Sequence, residues 1–244
     1  MSVRLRVSVD EAIYGAYPGY QAIVIYGAGL DNRGPAPWCG ALLRLAESGQ
    51  RLEHAAEGQA LDPRLAAWRR AYSAFGAKPS RHHCSPEAML KRVIAGRELP
   101  TINPIVDLYN AISLKHLIPI GGEDLDQVLD TPTLRFARGD EEFAISAQGE
   151  LAIERPTPGE VIWIDGLGVT CRRWNWRQCR RTMISRETTN AYFVLDRLDP
   201  VLERLVETAA LELAAGLKRL SPEATLTAEC VSATGRRPID SLDV

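Results

Sequence analysis

No stretch of the 244 residues approaches the run of roughly 18 apolar side chains that a membrane-spanning helix requires, which excludes an integral helical membrane protein. The first seven residues, Met1-Ser-Val-Arg-Leu-Arg-Val, alternate charged and apolar side chains where a secretory leader has a continuous apolar segment. The five cysteines, Cys39, Cys84, Cys171, Cys179 and Cys230, are odd in number, scattered and without a CxxC pair. That usage points to reduced thiols and a cytoplasmic setting, not to a disulfide framework. No charge of either sign dominates: 29 Lys and Arg against 31 Asp and Glu leave a formal charge of −2, so any nucleic-acid contact must come from a local patch. Internal repeats and low-complexity tracts are also missing.

Motifs that announce a chemistry are equally scarce. Gly27-Ala-Gly-Leu-Asp-Asn-Arg-Gly34 lacks the GxGxxG spacing and has no Lys-Ser/Thr, which argues against a phosphate loop. No GxSxG elbow occurs, and no Ser, His and Asp set can be assigned from spacing. Arg81-His-His-Cys84 looks metal-like, yet adjacent residues rarely ligate one ion and no partner pair lies at a recognisable distance, so neither metal nor cofactor is expected.

What is present reads as helices first and strands second. Val3 to Val9 alternates with period two and Ala22 to Tyr26 is a continuous apolar run, predicting two early strands before a Gly/Asn/Pro loop over 27–37. Helical patterns run over about 41–57 and 62–72. Asp62-Pro63, Ser85-Pro86, Asn103-Pro104 and Asp199-Pro200 each supply a cap followed by proline at the first helical position, the last opening a helix to about Leu217. Between 131 and 198 the texture becomes β-rich: 133–137, 142–146, 151–154, 160–164 and 191–195 read as strands, with a further one over 225–231. Helices gathered in the first half and strands in the second predict an α+β layered sandwich with mixed sheets.

Three places could carry chemistry. Asn103, Asp107 and Asn110 stand at i, i+4 and i+7 of one helix with Ser113 nearby, a short polar row suited to an amine, a hydroxyl or a ribose. The same row fits a structural reading in which Asn103 only caps the helix and Asp107 pairs with an arginine. The turn Pro119-Ile-Gly-Gly-Glu-Asp124 brings paired glycines, Gly121 and Gly122, whose backbone could approach a ligand or form an oxyanion site. Arg172-Arg-Trp-Asn-Trp-Arg-Gln-Cys-Arg-Arg181 packs five arginines and two tryptophans into ten residues. Guanidinium groups for phosphate and indoles for stacking are the combination that holds a single-stranded RNA end. Alternatively one Trp belongs to the core and the arginines neutralise acidic surface.

Beginning at Ser85-Pro86, the order of a Ser-Pro helix, an Ile102-Asn-Pro-Ile-Val-Asp-Leu-Tyr-Asn110 helix and the Gly121-Gly122 turn resembles the B3/B4 editing domain of phenylalanyl-tRNA synthetase β chains. The likeness continues through Leu134-Arg-Phe-Ala137, Gly159-Glu-Val-Ile-Trp-Ile-Asp165 and Glu187-Thr-Thr-Asn-Ala191, and covers about residues 66 to 200. Freestanding B3/B4 proteins look closer still, through Trp68-Arg-Arg-Ala-Tyr-Ser-Ala-Phe-Gly76 and Cys171-Arg-Arg-Trp-Asn-Trp176. The resemblance implies the B3/B4 fold, mixed sheets covered by helices. Residues 61–222 would form that domain, 1–60 an N-terminal strand and helix extension on the same core, and 223–244 a C-terminal strand and tail.

It also implies a role in hydrolysing mischarged aminoacyl-tRNA. By position Asp107, Asn110, Gly121 and Gly122 become the catalytic candidates. Asn103, Tyr109, Ser113, Trp174, Asn175, Trp176 and Thr189 become substrate contacts, and Arg81, Arg172, Arg173 and Arg177 tRNA contacts. Tyr109 stands where the synthetase has threonine and Gly121 where it has histidine. The glutamate that reads tyrosine there falls near Leu195 or Asp196, so a pocket specialised for tyrosine is not expected. The partners implied are the aminoacylated 3′ end of a tRNA and an aminoacyl-tRNA synthetase. Two other readings stay open: a non-catalytic tRNA or amino-acid binding module, and a small-molecule esterase or amidase on the same fold.

Overall fold

Two helix starts follow the chemistry of their first turns, whereas at Ser85-Pro86 the cap position falls to Cys84 and the Ser85 hydroxyl caps nothing. In the computed structural model, which describes residues 5–55, 62–147 and 150–239, Asp62 accepts from Arg64 N at 2.8 Å and Asn103 from Val106 N at 3.0 Å. In both cases proline occupies the next position, where its missing N–H costs nothing. Along the chain the elements are β1 (Ser8–Val9), α1 (Glu11–Ala16), β2 (Gln21–Ala28), α2 (Pro37–Ala55), α3 (Pro63–Ala74), α4 (Ser85–Ile94) and α5 (Pro104–His116). There follow β3 (Ile120–Asp124), β4 (Thr133–Phe136), β5 (Phe143–Ala147), β6 (Glu150–Glu154), β7 (Val161–Asp165), β8 (Gly168–Arg172) and β9 (Arg177–Gln178). The chain ends on β10 (Asn190–Arg197), α6 (Glu203–Leu220), β11 (Thr225–Ser232) and β12 (Gly235–Pro238).

Two five-stranded sheets, ordered β1-β4-β7-β8-β9 and β12-β11-β2-β10-β3, carry the architecture, with β5-β6 a separate hairpin. Among the described residues only β1 and β4 pair in parallel and the other strand pairs are antiparallel, so the fold is α+β with mixed and antiparallel sheets. The apolar run of β2 is explained by its central place, since a strand covered on both faces needs no polar alternation. Ala22, Val24 and Tyr26 join Tyr192 and Val194 of β10, Leu134, Val161 and Trp163 of the other sheet, and α3 in one core cluster. Ile23 and Ile25 join Phe193 and Leu195 with α5 and α6 in a second. Because β2 lies between β10 and β11, residues before 61 and after 222 complete the same sheet as the middle of the chain.

Several expectations are corrected. The segment 119–124 is not a turn: Ile120–Asp124 forms edge strand β3, antiparallel to β10 with Gly121 opposite Val194. The arginine-rich segment is the end of one strand, a turn and a second strand. Arg172 ends β8, Arg177 begins β9, and the tight turn between them holds Arg173 and Trp174 at φ 48° and 66°, the left-handed region that non-glycine residues rarely occupy. The helix expected from Pro200 begins instead with a 3₁₀ turn over Pro200–Leu202, and α6 starts at Glu203. Of the predicted strand over 3–9 only Ser8–Val9 pairs, and residues 1–4 lie outside the described part, as do residues 56 and 57 of the predicted helix over 41–57. Helix α1 and strands β8, β9 and β12 had no clear signal in the sequence.

Candidate functional site

The two sheets do not meet everywhere. Where β3 and β10 face β7, β8 and the turn after β8, they leave a cavity of about 180 Å³. Helix α5 contributes Tyr109 and Asn110 to its wall, β3 contributes Gly121, Gly122 and Glu123, and β10 the alternate residues Tyr192, Val194 and Asp196. Period two fixes the last set, because residues i, i+2 and i+4 of a strand share a face. Trp163, Cys171 and the segment Trp174 to Gln178 close the cavity from the opposite sheet, and Ser85 from α4.

The turn is held from below. Trp174 is fully buried and its backbone N–H donates to Val161 O at 2.8 Å. Its indole meets Tyr17 and Tyr20 edge-on, each at 5.0 Å between ring centroids, and Trp68 at 5.4 Å. Such packing offsets the left-handed backbone. Asn175 then accepts from Tyr72 Oη at 2.9 Å while its amide donates to Asp196 at 3.3 Å. Trp176 lies under the Arg173 guanidinium at 4.2 Å and against the His82 ring at 5.1 Å. Arg177, like Arg81, is exposed.

Two carboxyl groups dominate the electrostatics. Burial pushes Glu123 up to about 7, although Tyr192 Oη donates to it at 2.6 Å. Burial likewise lifts Asp196 to about 6, only partly opposed by Tyr20, which donates at 2.9 Å, and by the neighbouring Asn175 and Trp174. Burial also drives the Cys171 thiol well above its ordinary value, so no thiolate is available there. The Oγ of Ser85 is buried, and among the described residues no group is hydrogen-bonded to it as a general base. Gly121 and Gly122 differ sharply: a Cβ on Gly121 would meet nothing within 4 Å, while one on Gly122 would lie 2.7 Å from Ile184 Cδ1 and 2.8 Å from Phe193 Cδ1. The carbonyl of Gly122 accepts from Gln178 Nε2 at 2.9 Å.

Of the residues singled out from the sequence, Tyr109, Asn110, Gly121, Gly122, Trp174, Asn175, Trp176 and Arg177 come together around this cavity. The polar row on α5 does not act as one. Asn103 caps the helix and holds Ile184 O and the Asn32 side chain, at 3.0 and 2.9 Å. Asp107 accepts from Ile102 N at 2.8 Å at the helix start, and Ser113 donates to Ile118 O at 2.6 Å at its end. Thr189 is exposed beside Asp31 and Arg33, away from the cavity. Arg172 is buried, with its guanidinium held by Glu160 and Glu154 at 2.8 Å each, which leaves it no free face for phosphate. Arg181 pairs with Asp165 at 2.7 Å in the same manner.

Glu123, Tyr192, Gln178, Trp163 and Ser85 were missed. Period two along β10 was the available signal for Tyr192, since it stands two residues from Val194 and four from Asp196. Glu123 was hidden by the reading of its strand as a turn. Among the described residues no three His, Cys, Asp or Glu side chains gather as metal ligands, and His83 instead approaches Glu87 at 3.2 Å.

Residues 67–215 match the family model described as the B3/4 domain. No curated protein matches the chain by sequence. Among solved structures it is similar to an N-terminal fragment of the phenylalanyl-tRNA synthetase β subunit from Pyrococcus horikoshii, with a TM-score of 0.50 and 12% identity. The match covers 96% of this chain and 54% of that one, so the chain spans about half the length of that fragment and the likeness is one of fold.

Proposed function

The chain belongs to the B3/4 domain family, and from that premise we propose that it hydrolyses mischarged aminoacyl-tRNA in trans, taking the charged 3′ end into the cavity between its two sheets. The observation that carries this reading is the composition of that cavity. The positions that the family likeness marks on α5, on β3 and in the turn after β8 are far apart in sequence and line one space.

The chemistry asked of them is modest. An aminoacyl ester is already activated, so a site that positions water and stabilises the oxyanion suffices. Asn110, half-buried on the cavity wall, orients the ester or the water by its amide. The α-ammonium group needs a carboxylate. Asp107 does not line the cavity, so that role passes to Asp196 or Glu123. Trp176 offers a face on which the terminal base stacks, Arg177 on the cavity wall supplies a phosphate contact, and the exposed Arg81 supplies another further along the RNA. The lack of a base beside Ser85 Oγ and the raised Cys171 thiol favour direct attack by water over an acyl-enzyme.

The test is deacylation of a panel of correctly and incorrectly charged tRNAs by the purified protein, with Asn110→Ala as control. Release from a mischarged tRNA at least about 100-fold faster than with the control is expected from loss of one positioning group. Binding without release across the panel would identify a tRNA-binding module that serves a synthetase. Neither binding nor release would leave the small-molecule esterase.

A further inference from the structure

Buried carboxylates in this protein are paired with cations nearly wherever they occur. Glu87 has Arg69, Glu141 has Arg135, Glu160 has Arg172, Asp165 has Arg181 and Glu229 has Arg236, all at 2.5–2.8 Å. Among the described residues Asp107 and Asp124 have no such partner within 4.0 Å but accept from the backbone N–H groups of Ile102 and Asp126, at 2.8 and 2.9 Å. Glu123 and Asp196 stand apart. Each is buried, each faces the cavity, and among the described residues neither has a lysine, arginine or histidine within 4.0 Å. Their hydrogen bonds come from neutral groups, Tyr192 for one and Tyr20 with Asn175 for the other. A buried charge without an adjacent counter-charge is costly: Arg181 acts on Glu123 from beyond 4.0 Å and is paired with Asp165, and Arg177 on the wall lies 3.8 Å from Glu154, so the two carboxylates leave the cavity short of cations.

The two carboxylates are not neighbours. Glu123 sits opposite Tyr192, and Asp196 lies four residues further along β10 on the same face. At about 3.3 Å per residue their backbones are about 13 Å apart, at the two ends of the cavity. Between them Val194 stands on β10 opposite Gly121, which leaves the wall open, and the indoles of Trp163, Trp174 and Trp176 line the same cavity beside Tyr109, Asn110 and Cys171. The Trp174 indole stands beside Asp196, whose charged form it helps to stabilise, and its buried Nε1–H makes no close hydrogen bond.

From this arrangement we infer that the cavity selects a basic amino acid of the lysine or ornithine type, its α-ammonium at one carboxylate and its side-chain ammonium at the other. The inference rests on reading the cavity as the aminoacyl site. The aliphatic stem lies along the indoles, which attract the cationic ends as well as the methylenes. A neutral side chain leaves one carboxylate buried without a counter-charge, so it is rejected by the unpaired group and not by shape.

The experiment is calorimetric binding of L-lysinamide and L-norleucinamide to the full chain at pH 7.5 and at pH 5. The two probes differ only in the terminal ammonium. Lysinamide is expected to bind about tenfold or more tightly than norleucinamide, the difference that one charge-assisted hydrogen bond produces. Asp196→Asn and Glu123→Gln, each near isosteric, should reduce that ratio towards one. Equal binding of the two probes, or tighter binding of norleucinamide, overturns the inference on the unaltered protein whether or not the variants fold. Hydrolysis of a neutral aminoacyl-tRNA without discrimination between the amides would leave the editing function standing and remove this specificity. Discrimination between the amides without hydrolysis of any charged tRNA would do the reverse.

Discussion

Gly121 and Gly122 are adjacent in one edge strand, and their missing side chains serve different ends. Neither is in the positive-φ region, so the pair is not there to turn the chain, which is how paired glycines read in a sequence. Gly122 is required by close approach, and Gly122→Ala drives a methyl group into Ile184 and Phe193. A loss of about 1–3 kcal/mol is expected, the range for forced overpacking. Gly121→Ala meets open space, so its melting temperature should stay close to that of the parent while the methyl enters the cavity and slows deacylation. Thermal melts of the two variants side by side check this, and an equal loss from both would contradict it. What the sequence could not convey here is the direction of each glycine's vacant face, which depends on the strand register with β10.

At the scale of elements, helices were more legible than strands because proline and a capping side chain mark a start locally. Asp62, Asn103 and Asp199 all accept from backbone N–H groups as their types predict. Strand β3 and the β8–β9 turn were illegible because both are decided at long range. The carboxylates of Glu160 and Glu154 draw Arg172 inward, and a nest of aromatic rings holds Trp174 where no local preference would put it. An arginine count therefore overstated the cationic surface. Helix α5 separates structure from site within one element. Asn103→Ala removes the cap and the links to Asn32 and Ile184, and should cost about 1–2 kcal/mol. In a domain of this size that lowers the melting temperature by roughly 2–8 °C. Asn110→Ala, on the cavity side of the same helix, should leave the melt unchanged and affect only turnover, and calorimetric scans of both variants decide it.

For the molecule as a whole, the cavity carboxylates set a pH dependence of stability. Glu123 titrates at about 7 and Asp196 at about 6 in the folded protein, against about 4.3 and 3.9 in an unfolded chain. Between about pH 4 and 7 the folded state therefore binds more protons than the unfolded one. Its stability contribution from these groups is present at low pH and declines as pH rises through that window. For Glu123 alone the full change is on the order of 3 kcal/mol. Glu141, held down to about 2 by backbone N–H groups and Arg135 against its own burial, acts oppositely, but only below about pH 4 where it protonates. Urea denaturation at pH 5 and pH 8 should show the parent losing more stability between the two than Glu123→Gln does. Parallel curves would show that Glu123 is not the titrating group. The fold class and most helices could be read from composition and pattern, whereas these two carboxylates gain their character only when the sheets close around them.

Three of the five tryptophans, Trp163, Trp174 and Trp176, line the cavity, while Trp38 and Trp68 lie elsewhere. Indole emission shifts with the polarity and charge around the ring, so the protein carries its own optical probe. Occupancy of the site is readable, unlabelled, in the colour and intensity of its native fluorescence.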